Sequence, residues 1–418
     1  MYPLDARSLR AGRGGRGGWS GIGPNVVLLG LTSLLTDISS EMVSAVLPIY
    51  LVITLGLTPL QFGFIDGLAQ CVTAFARLAS GWVADRWQRK RAVAACGYGV
   101  STACRLGLLA AGSSTLWLTA VMAVDRLGKG IRTSPRDALI SMSCDAGKLG
   151  LAFGIHRALD TTGALLGPLI AFALLFVFPG AYDLLFVVSF CFGVLGLAVL
   201  MCFVREPAID APGEVRSGAR AAPDASPWSA LAANRPFLAL TAAGTVLGMA
   251  TVADAFVYLL LQRKTAVPVS GVPLMVVGTS LVYLLLAVPA GRLGDRLGRR
   301  RVFLFGHGFL LLACANLLFG GTSLAAGALS LGLLGAFYAC TDGVLAAAAS
   351  AVLPTGLRTT GLAVLATATS VARLVASVAF GALWNWFGTG WALGVFLLGL
   401  TIAIGVAAPL CIRIEVRS

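Results

Sequence analysis

The sequence has little charge and almost no histidine. Of its 418 residues, 12% are charged and only two are histidine. A soluble domain carries about 25% charged residues, so this composition argues against an ordinary soluble protein. The two histidines and nine cysteines, which form no C-x-x-C pair, offer neither a metal cage nor a disulfide framework. We therefore expect no bound metal and no cofactor.

The motifs of ATP-driven and catalytic proteins are also missing. The chain contains no G-x-x-x-x-G-K-[ST] phosphate-binding run, so we do not expect ATP bound by this chain to supply energy. It also has none of the residue constellations typical of glycosidases or proteases. These absences predict that the protein is not an enzyme.

Hydrophobic residues and glycine are abundant. Hydrophobic residues make up 58% of the chain, 51 residues are glycine, and the mean hydropathy is +0.88. Apolar runs long enough to cross a bilayer, which takes ~20 residues, recur along the chain. Six lie near 26–54, 61–84, 92–112, 115–134, 150–177 and 183–204, and six near 237–262, 272–292, 303–320, 324–353, 360–384 and 390–412. The sequence predicts an all-α integral membrane protein with twelve transmembrane helices in two pseudo-symmetric halves.

Polar segments divide the chain into five predicted parts. These are an N-terminal tail (1–25), a six-helix bundle (26–204), a proline-containing linker (205–236), a second six-helix bundle (237–412) and a short C-terminal tail (413–418). The N-terminal tail carries arginines but no apolar core with a small-residue cleavage site. It therefore predicts a cytoplasmic tail and not a signal peptide.

The net charge of +13 is unevenly placed. Most basic residues lie in the tails, in the linker and in alternate connections between apolar runs. The opposite set of connections has only Arg263 and Lys264. The positive-inside rule then predicts a multi-pass protein of the inner membrane with both termini in the cytoplasm. Because the charge follows this membrane pattern, we expect no nucleic-acid partner.

One short stretch occurs twice. The first copy runs from Gly81 to Arg91 (GWVADRWQRKR) and the second from Gly291 to Arg301 (GRLGDRLGRRR), at an offset of 210 residues. Both copies contain a glycine, an aspartate–arginine pair and a basic cluster between two apolar runs. An ancestral duplication accounts for this pattern. The alternative is two ordinary arginine-rich cytoplasmic loops.

Twelve spans in two halves, a central linker and a doubled G-x-x-x-D-R-x-x-R-[KR]-R loop resemble the major facilitator superfamily. The resemblance implies alternating access, with the aspartate of each loop helping to latch the outward-facing state. The implied gating residues are Gly81, Asp85, Arg86 and Arg89 in the first copy, and Gly291, Asp295, Arg296 and Arg299 in the second. The first copy departs from the family at Gln88, where the second copy has the usual glycine, Gly298.

Two further stretches fit the same family. Arg126 is followed by a glycine at Gly130, which is similar to the helix 4 arginine motif. Gly163, Gly167 and Pro168 match the G-x-x-x-G-P of helix 5, which in this family is typical of exporters that work as antiporters. The resemblance therefore implies a hinge in helix 5 and a bacterial drug or metabolite exporter.

Charges inside the apolar runs are the candidate chemistry. A charge near the bilayer centre costs ~2.5–3.5 kcal/mol on insertion scales, so each is a functional candidate. At about 1.5 Å per residue, Asp37 lies roughly 18 Å along the first run and Arg126 roughly 16 Å along the fourth. We therefore expect these two side chains at matching depth, with Glu41 one turn beyond Asp37. Burial and a neighbouring cation act in opposite directions on the pKa of a carboxyl, so such a group is suited to exchange its proton.

The other candidates for proton coupling or the substrate cavity lie on four helices. They are Lys129, which continues a cationic stripe from Arg126, the i, i+3 pair Arg157 and Asp160, and Asp254 and Arg373 in the second half. For Arg132, Arg157 and Asp160, pairing that only fastens the first half is an equally good interpretation. We expect His156 and His307 to be held by hydrogen bonds and not to act as proton relays.

The combined prediction is a secondary active transporter that moves a small molecule across the inner membrane by alternating access. Proton-coupled export is favoured, with the lipid bilayer, protons and a small-molecule substrate as partners, and with a functional monomer. Two alternatives stay open. One is an importer or facilitator of an organic anion, and the other is a transporter-like sensor or lipid flippase.

The orientation can be tested with reporter fusions. Fusions after Arg91, Asp224 and Arg301 should report the cytoplasm, and a fusion at Lys264 should report the outside, because the basic connections stay inside. Paired alkaline phosphatase and fluorescent-protein fusions measure this. A periplasmic signal at Asp224 would contradict the six-plus-six arrangement.

Overall fold

The structure is a computed structural model that describes residues 23–87, 89–112, 114–144, 149–206, 227–354 and 357–412. Most of the predicted N-terminal tail, the middle of the predicted linker and all of the predicted C-terminal tail fall outside these ranges. Each predicted apolar run is helical along most of its length. The predicted all-α class is therefore confirmed within the described part of the chain.

The helices follow one another with short connections. In the first half they are α1 (Pro24–Ile49), continued by a π-helical turn at Tyr50–Thr54, α2 (Pro59–Trp87), α3 (Lys90–Ala111), α4 (Thr115–Met142), α5 (Leu149–Val177) and α6 (Tyr182–Cys202). The second half contains α7 (Pro227–Ala233), α8 (Arg235–Met249), α9 (Asp254–Thr265), α10 (Val272–Leu297), α11 (Arg299–Phe319), α12 (Leu324–Thr341), α13 (Val344–Val352), α14 (Arg358–Phe387) and α15 (Thr389–Ile412).

Ten helical stretches in the described residues are long and apolar enough to cross a membrane. Two of them join consecutive helices, α8 with α9 and α12 with α13. The long helices α2 and α4 do not meet this criterion, and α4 is rich in charge. The protein is thus a multi-pass membrane protein, while the count of twelve spans stays a prediction.

Three predicted boundaries were wrong. Helix α4 does not stop at residue 134 but contains Pro135 and runs to Met142, so Arg136 is a helical residue and not a loop residue. The seventh and tenth predicted runs are not continuous helices. The first breaks at residues 250–253, between α8 and α9, and the second breaks at 342–343, between α12 and α13.

The repeated stretch is also more helical than expected. Helix α2 continues to Trp87 and α10 to Leu297, so the aspartate of each copy lies in the last turns of a helix and not in a loop. The end of a helix is set by its backbone geometry, whereas the end of an apolar run shows only where the side chains become polar. Gly298 alone connects α10 with α11, at a φ of 96°. Glycine reaches this region without a steric penalty, which explains its place in the motif.

The chain forms two compact units. Of the described residues, one unit contains 23–50 and those between 72 and 206, and the other contains 51–71 and those between 227 and 412; these are the N-terminal and C-terminal units. The first part of α2 thus groups with the second half of the chain. The bundle boundaries inferred from the sequence, 26–204 and 237–412, stay a prediction.

Two glycines of α5 bring it against α1 in the N-terminal unit. A Cβ at Gly163 would lie 2.5 Å from the Leu34 carbonyl oxygen, and one at Gly167 would lie 2.8 Å from the Ile38 carbonyl oxygen. Glycine is needed where two membrane helices approach this closely. The G-x-x-x-G-P motif is therefore a packing element between α1 and α5.

A second glycine crossing joins α3 with α4. A Cβ at Gly97 would lie 2.7 Å from the Arg132 backbone nitrogen, and one at Gly128 would lie 2.7 Å from the Gly97 carbonyl oxygen. The N-terminal unit therefore contains two tightly packed helix pairs, α1 with α5 and α3 with α4. Backbone contacts fix the position of α1 within one pair and of α4 within the other.

In the C-terminal unit, the first part of α2 packs against α14. A Cβ at Gly67 would lie 2.8 Å from the Leu374 Cα atom, and one at Gly63 would collide with the Ser377 carbonyl oxygen. The Phe62 ring meets Phe256 edge to face at 5.1 Å between centroids. Small residues and aromatic rings together hold this contact.

The α1–α5 crossing can be tested with two alanine substitutions on one helix. Gly163→Ala should lower the free energy of unfolding by about 1–3 kcal/mol, because the helices must separate to admit the methyl group. Gly154→Ala is the matched control, since a Cβ there meets open space. Thermal unfolding of the purified protein in detergent measures both, and equal midpoints would contradict the crossing.

Candidate functional site

Four cationic side chains of α4 reach four polar side chains of α1, and we name this set the α1–α4 ladder. Its rungs are Arg136 Nη1 to Ser33 Oγ at 3.4 Å, Arg132 Nη2 to Asp37 Oδ1 at 3.1 Å, Lys129 Nζ to Glu41 Oε1 at 3.0 Å, and Arg126 Nη2 to Ser44 Oγ at 3.2 Å. Along each helix the members are three or four residues apart, which keeps them on one face. Since α1 is followed forwards as α4 is followed backwards, the two helices are antiparallel.

The matching depth expected for Asp37 and Arg126 suggested them as partners, and that pairing is wrong. Asp37 pairs with Arg132, and Arg126 pairs with the hydroxyl of Ser44. The depth argument compared Cα positions only, whereas side chains lean towards the N-terminus of their own helix. On antiparallel helices this lean displaces partners in opposite directions, so Asp37 meets a cation nearly two turns further along α4.

Burial differs between the two ionic rungs. In the Asp37–Arg132 pair, 12% of the aspartate and 4% of the arginine side chain are exposed. In the Glu41–Lys129 pair the values are 27% and 31%. Removing one partner of a buried ion pair leaves an unpaired buried charge, which lowers the free energy of unfolding by about 3–5 kcal/mol. The Asp37–Arg132 rung is therefore the one where a change of charge matters most.

Helix α5 places a third carboxyl group, that of Asp160, next to the ladder. Asp160 Oδ2 lies 3.3 Å from Arg157 Nη1, and Asp160 Oδ1 lies 3.8 Å from Arg136 Nη1. Arg136 also forms a two-point contact with its neighbour Asp137 at 3.0 and 3.1 Å. The predicted i, i+3 pair on α5 is thus present, and Asp160 links it to α4.

A neutral cluster surrounds the first rung. The Ser33 hydroxyl lies 2.8 Å from His156 Nε2 and 3.5 Å from the Tyr98 hydroxyl. The Arg132 guanidinium stacks over the Tyr98 ring at 4.6 Å, within the range of a cation–π contact. His156 is therefore held by hydrogen bonding, as expected. Its counterpart His307 is held through Nδ1 at 2.9 Å from the Phe303 carbonyl oxygen.

A small cavity lies beside the last rung. Its polar lining is Ser44, Arg105, Asp125 and Arg126, among apolar side chains of α1, α3 and α4. Arg105 Nη2 lies 3.0 Å from Asp125 Oδ1, so these two charges pair, whereas Arg105 Nε has no hydrogen-bond partner. This cavity therefore places a buried ion pair next to the cation of Arg126.

The C-terminal unit has a sparser group of charges around a broken helix. Asp254 begins α9, accepts a hydrogen bond from the Ala255 backbone N–H at 3.1 Å and lies beside the Tyr338 hydroxyl and Arg373. Interrupted helices of transporters commonly line the binding site. Asp342, at the other break, is exposed and caps the end of α12.

The predicted gating residues are only partly described. The side chains of Gly81, Asp85, Arg86 and Asp295 lie outside the described part of the structure. Arg89, Gly291 and Arg296 are exposed at helix ends, and Arg299 Nη1 donates to the Ala347 carbonyl of α13 at 3.3 Å. The latch function of this motif stays a prediction.

Two residues with clear contacts were missed. Arg136 was assigned to a loop, although it continues the three- and four-residue spacing of the α4 cations. Asp66 accepts a hydrogen bond from Ser377 Oγ at 3.1 Å, and its signal was a lone carboxylate in an apolar run. In the described residues, no group of three or more histidine, cysteine or acidic side chains could hold a metal ion.

Two kinds of comparison with known sequences find the same family. A sequence model described as Major Facilitator Superfamily matches residues 29–264 and 255–417. An uncharacterised MFS-type transporter of Methanocaldococcus jannaschii is 29% identical over 371 residues, covering 86% of this chain and 88% of that protein. An uncharacterised protein of Mycobacterium tuberculosis is 31% identical over 184 residues, or 43% of this chain and 44% of that protein.

Solved transporters share the fold. The nucleoside transporter NupG superposes with a TM-score of 0.73 at 13% identity, covering 93% of this chain and 98% of that chain. A POT family transporter in complex with 5-aminolevulinic acid gives 0.75 at 14%, with coverage of 94% and 96%. An inward-facing bacterial homologue of the human lysosomal transporter Spinster gives 0.69 at 15%, with coverage of 92% and 96%. At these identities the similarity concerns the fold alone.

A double substitution tests the pairing of Asp37 with Arg132. Arg132→Gln should lower the free energy of unfolding by about 3–5 kcal/mol, because it removes the partner of a buried charge. Adding Asp37→Asn should restore part of that loss. Arg126→Gln is the control: its partner is a hydroxyl, so adding Asp37→Asn should restore nothing. Unfolding midpoints in detergent are measured for all four variants. If Asp37→Asn restores stability only in the Arg126→Gln background, the partner of Asp37 is Arg126 and not Arg132.

Proposed function

The chain belongs to the major facilitator superfamily, and from that premise we propose that it exports a small molecule across the inner membrane in exchange for protons. Membership makes it a membrane transporter and not an enzyme, as the sequence predicted. The observation that carries the proton coupling is the Asp37–Arg132 pair, an ionisable carboxyl buried against a cation at 3.1 Å.

Protonation of this pair changes its electrostatics. When ionised, the Asp37 carboxylate balances Arg132. A proton removes the charge of the carboxyl and leaves the arginine to find another partner, so the preferred arrangement of α1 and α4 changes. One pKa unit corresponds to about 1.4 kcal/mol between protonation states. A modest change of environment between two conformations can therefore load or release the proton.

The rest of the scheme follows the sequence analysis. The two halves rock about a central site by alternating access, with Asp85 and Asp295 as latch residues of the repeated motif. The G-x-x-x-G-P stretch of α5 favours antiport over symport, because the resemblance links it to exporters. The basic connections and both termini face the cytoplasm, and the monomer is the functional form.

A second candidate function is transport of an organic anion. It is favoured by Arg126, whose partner among the contacts described above is the Ser44 hydroxyl and not a carboxylate. This cation lines the small cavity with Arg105 and Asp125. An anionic group of a substrate would supply the charge that Ser44 does not.

Transport in proteoliposomes tests the coupling. A pH gradient should drive uphill movement of the substrate by the native protein. Asp37→Asn should abolish uphill movement but leave exchange down a gradient measurable, because the neutral side chain can no longer load and release a proton. Radiolabelled or fluorescent compounds, screened first by their effect on thermal stability, provide the readout.

Glu41→Gln is the matched control, since it neutralises the more exposed carboxylate one turn away. It should retain pH-driven accumulation. If Asp37→Asn still concentrates substrate in a pH-dependent way, Asp37 is not the coupling residue. If Arg126→Ala alone abolishes transport and only anions are carried, the second candidate function is favoured.

A further inference from the structure

We infer that Asp37 and Asp160 bind one proton between them and act as a single proton-binding site. This inference rests on the proposed function and names the group that completes its proton site. Asp37 lies on α1 and Asp160 on α5, and their carboxyl groups face each other within hydrogen-bonding reach. Neither residue alone is then the unit that titrates.

The close packing of α1 against α5 brings together the helix segments that carry the two carboxyls. Asp160 lies one turn before Gly163, and a Cβ at Gly163 would be 3.2 Å from the Asp37 Cβ atom. Gly167 repeats the close approach one turn later, against Glu41. These glycine contacts, one and two turns after Asp160, therefore hold the backbones of α1 and α5 close together beside the two aspartates.

A hydrogen bond between the two carboxyl groups requires a proton. An ionised carboxylate has acceptor oxygens and no donor, so two of them cannot form a hydrogen bond with each other. Two like charges in contact also disfavour full ionisation of the pair. One proton turns one carboxyl into a donor and leaves a single negative charge on the pair. Such pairs titrate as a unit, with the protons leaving in separate steps.

The surrounding cations are divided between the two carboxyls. Asp37 faces Arg132, and Asp160 faces Arg157 and Arg136. Arg136 is shared with Asp137, and Arg157 is 53% exposed, so neither provides Asp160 with a full buried counter-charge. The single negative charge of the singly protonated pair is therefore balanced by guanidinium groups of both α4 and α5.

Other titratable groups around the pair come from each helix packed against α1. Helix α4 contributes Lys129 next to Arg132, α3 contributes Tyr98, and α5 contributes His156. Glu41 on α1 is paired with Lys129 at 3.0 Å. Helix α6 faces α1 with the neutral Ser189 and with Gly193 and Gly196. Among these groups, the two facing aspartates are the pair that has no hydrogen-bond donor between its members unless one of them is protonated.

Infrared spectroscopy of the purified native chain, without substrate, tests the pair. The carbonyl stretch of a protonated carboxyl is recorded through a pH titration, and the difference between native protein and variant isolates each contribution. Asp37→Asn and Asp160→Asn should each remove the same single-proton band. Asparagine resembles a protonated aspartate and can donate to the remaining carboxylate, so both variants keep the local hydrogen bond. Asp137→Asn is the control and should leave the band in place.

The outcomes separate this inference from the proposed function. A band that disappears in Asp37→Asn but persists in Asp160→Asn overturns the shared site and leaves Asp37 as a lone coupling group. Loss in both variants, together with transport that ignores the pH gradient, supports the shared proton and overturns the coupling. If Asp160→Asn does not fold, Asp160→Ser replaces it, because serine also lacks the carboxyl but keeps a hydrogen-bond donor. A band that persists in that variant overturns the shared site.

Discussion

The position of α1 against α4 depends on charges that cannot stay unpaired in a membrane. An isolated charge in a low-dielectric interior is costly, so each buried cation of α4 must find a partner across the helix pair. The α1–α4 ladder supplies those partners rung by rung, from Ser33 to Ser44. Only the second rung, Asp37 with Arg132, is both ionic and nearly free of solvent. Within the ladder, a change of charge is therefore most costly at the Asp37 carboxyl.

Glycine crossings make this arrangement possible. Helix α1 is fixed to α5 by Gly163 and Gly167, and α4 is fixed to α3 by Gly97 and Gly128. Between these two tight pairs, α1 and α4 meet mainly through long polar side chains. Close backbone packing leaves little room for adjustment, whereas an ion pair between long side chains can rearrange. The polar contact is thus the adjustable one, which suits a site whose charge changes during transport.

The sequence allowed the membrane class, the family and the relevant helix faces to be predicted. Length and hydropathy located the long helical runs, but not the short helix α7, and the repeated aspartate–arginine stretch pointed to the family before any fold was known. The cationic spacing of α4 also identified the correct face. These features depend on local composition and helical periodicity, which a single sequence displays directly.

The pairing itself could not be predicted in the same way. The choice between Arg126 and Arg132 as the partner of Asp37 depends on side-chain lean and on where the two helices cross. The break at residues 250–253 has no proline or glycine to mark it, and α4 passes through Pro135 where the apolar pattern had ended. The contact between Asp37 and Asp160 needs the α1–α5 crossing, which is a property of the folded chain.

The proton site of the N-terminal unit is the central claim, and proton binding moves charge within the membrane. Protein reconstituted on a solid-supported membrane is exposed to a rapid pH jump without substrate, and the displaced charge is recorded. The account predicts a transient displacement in the native protein that is lost when Asp37 is replaced by asparagine and kept when Asp137 is so replaced. An equal displacement in all three proteins would contradict it.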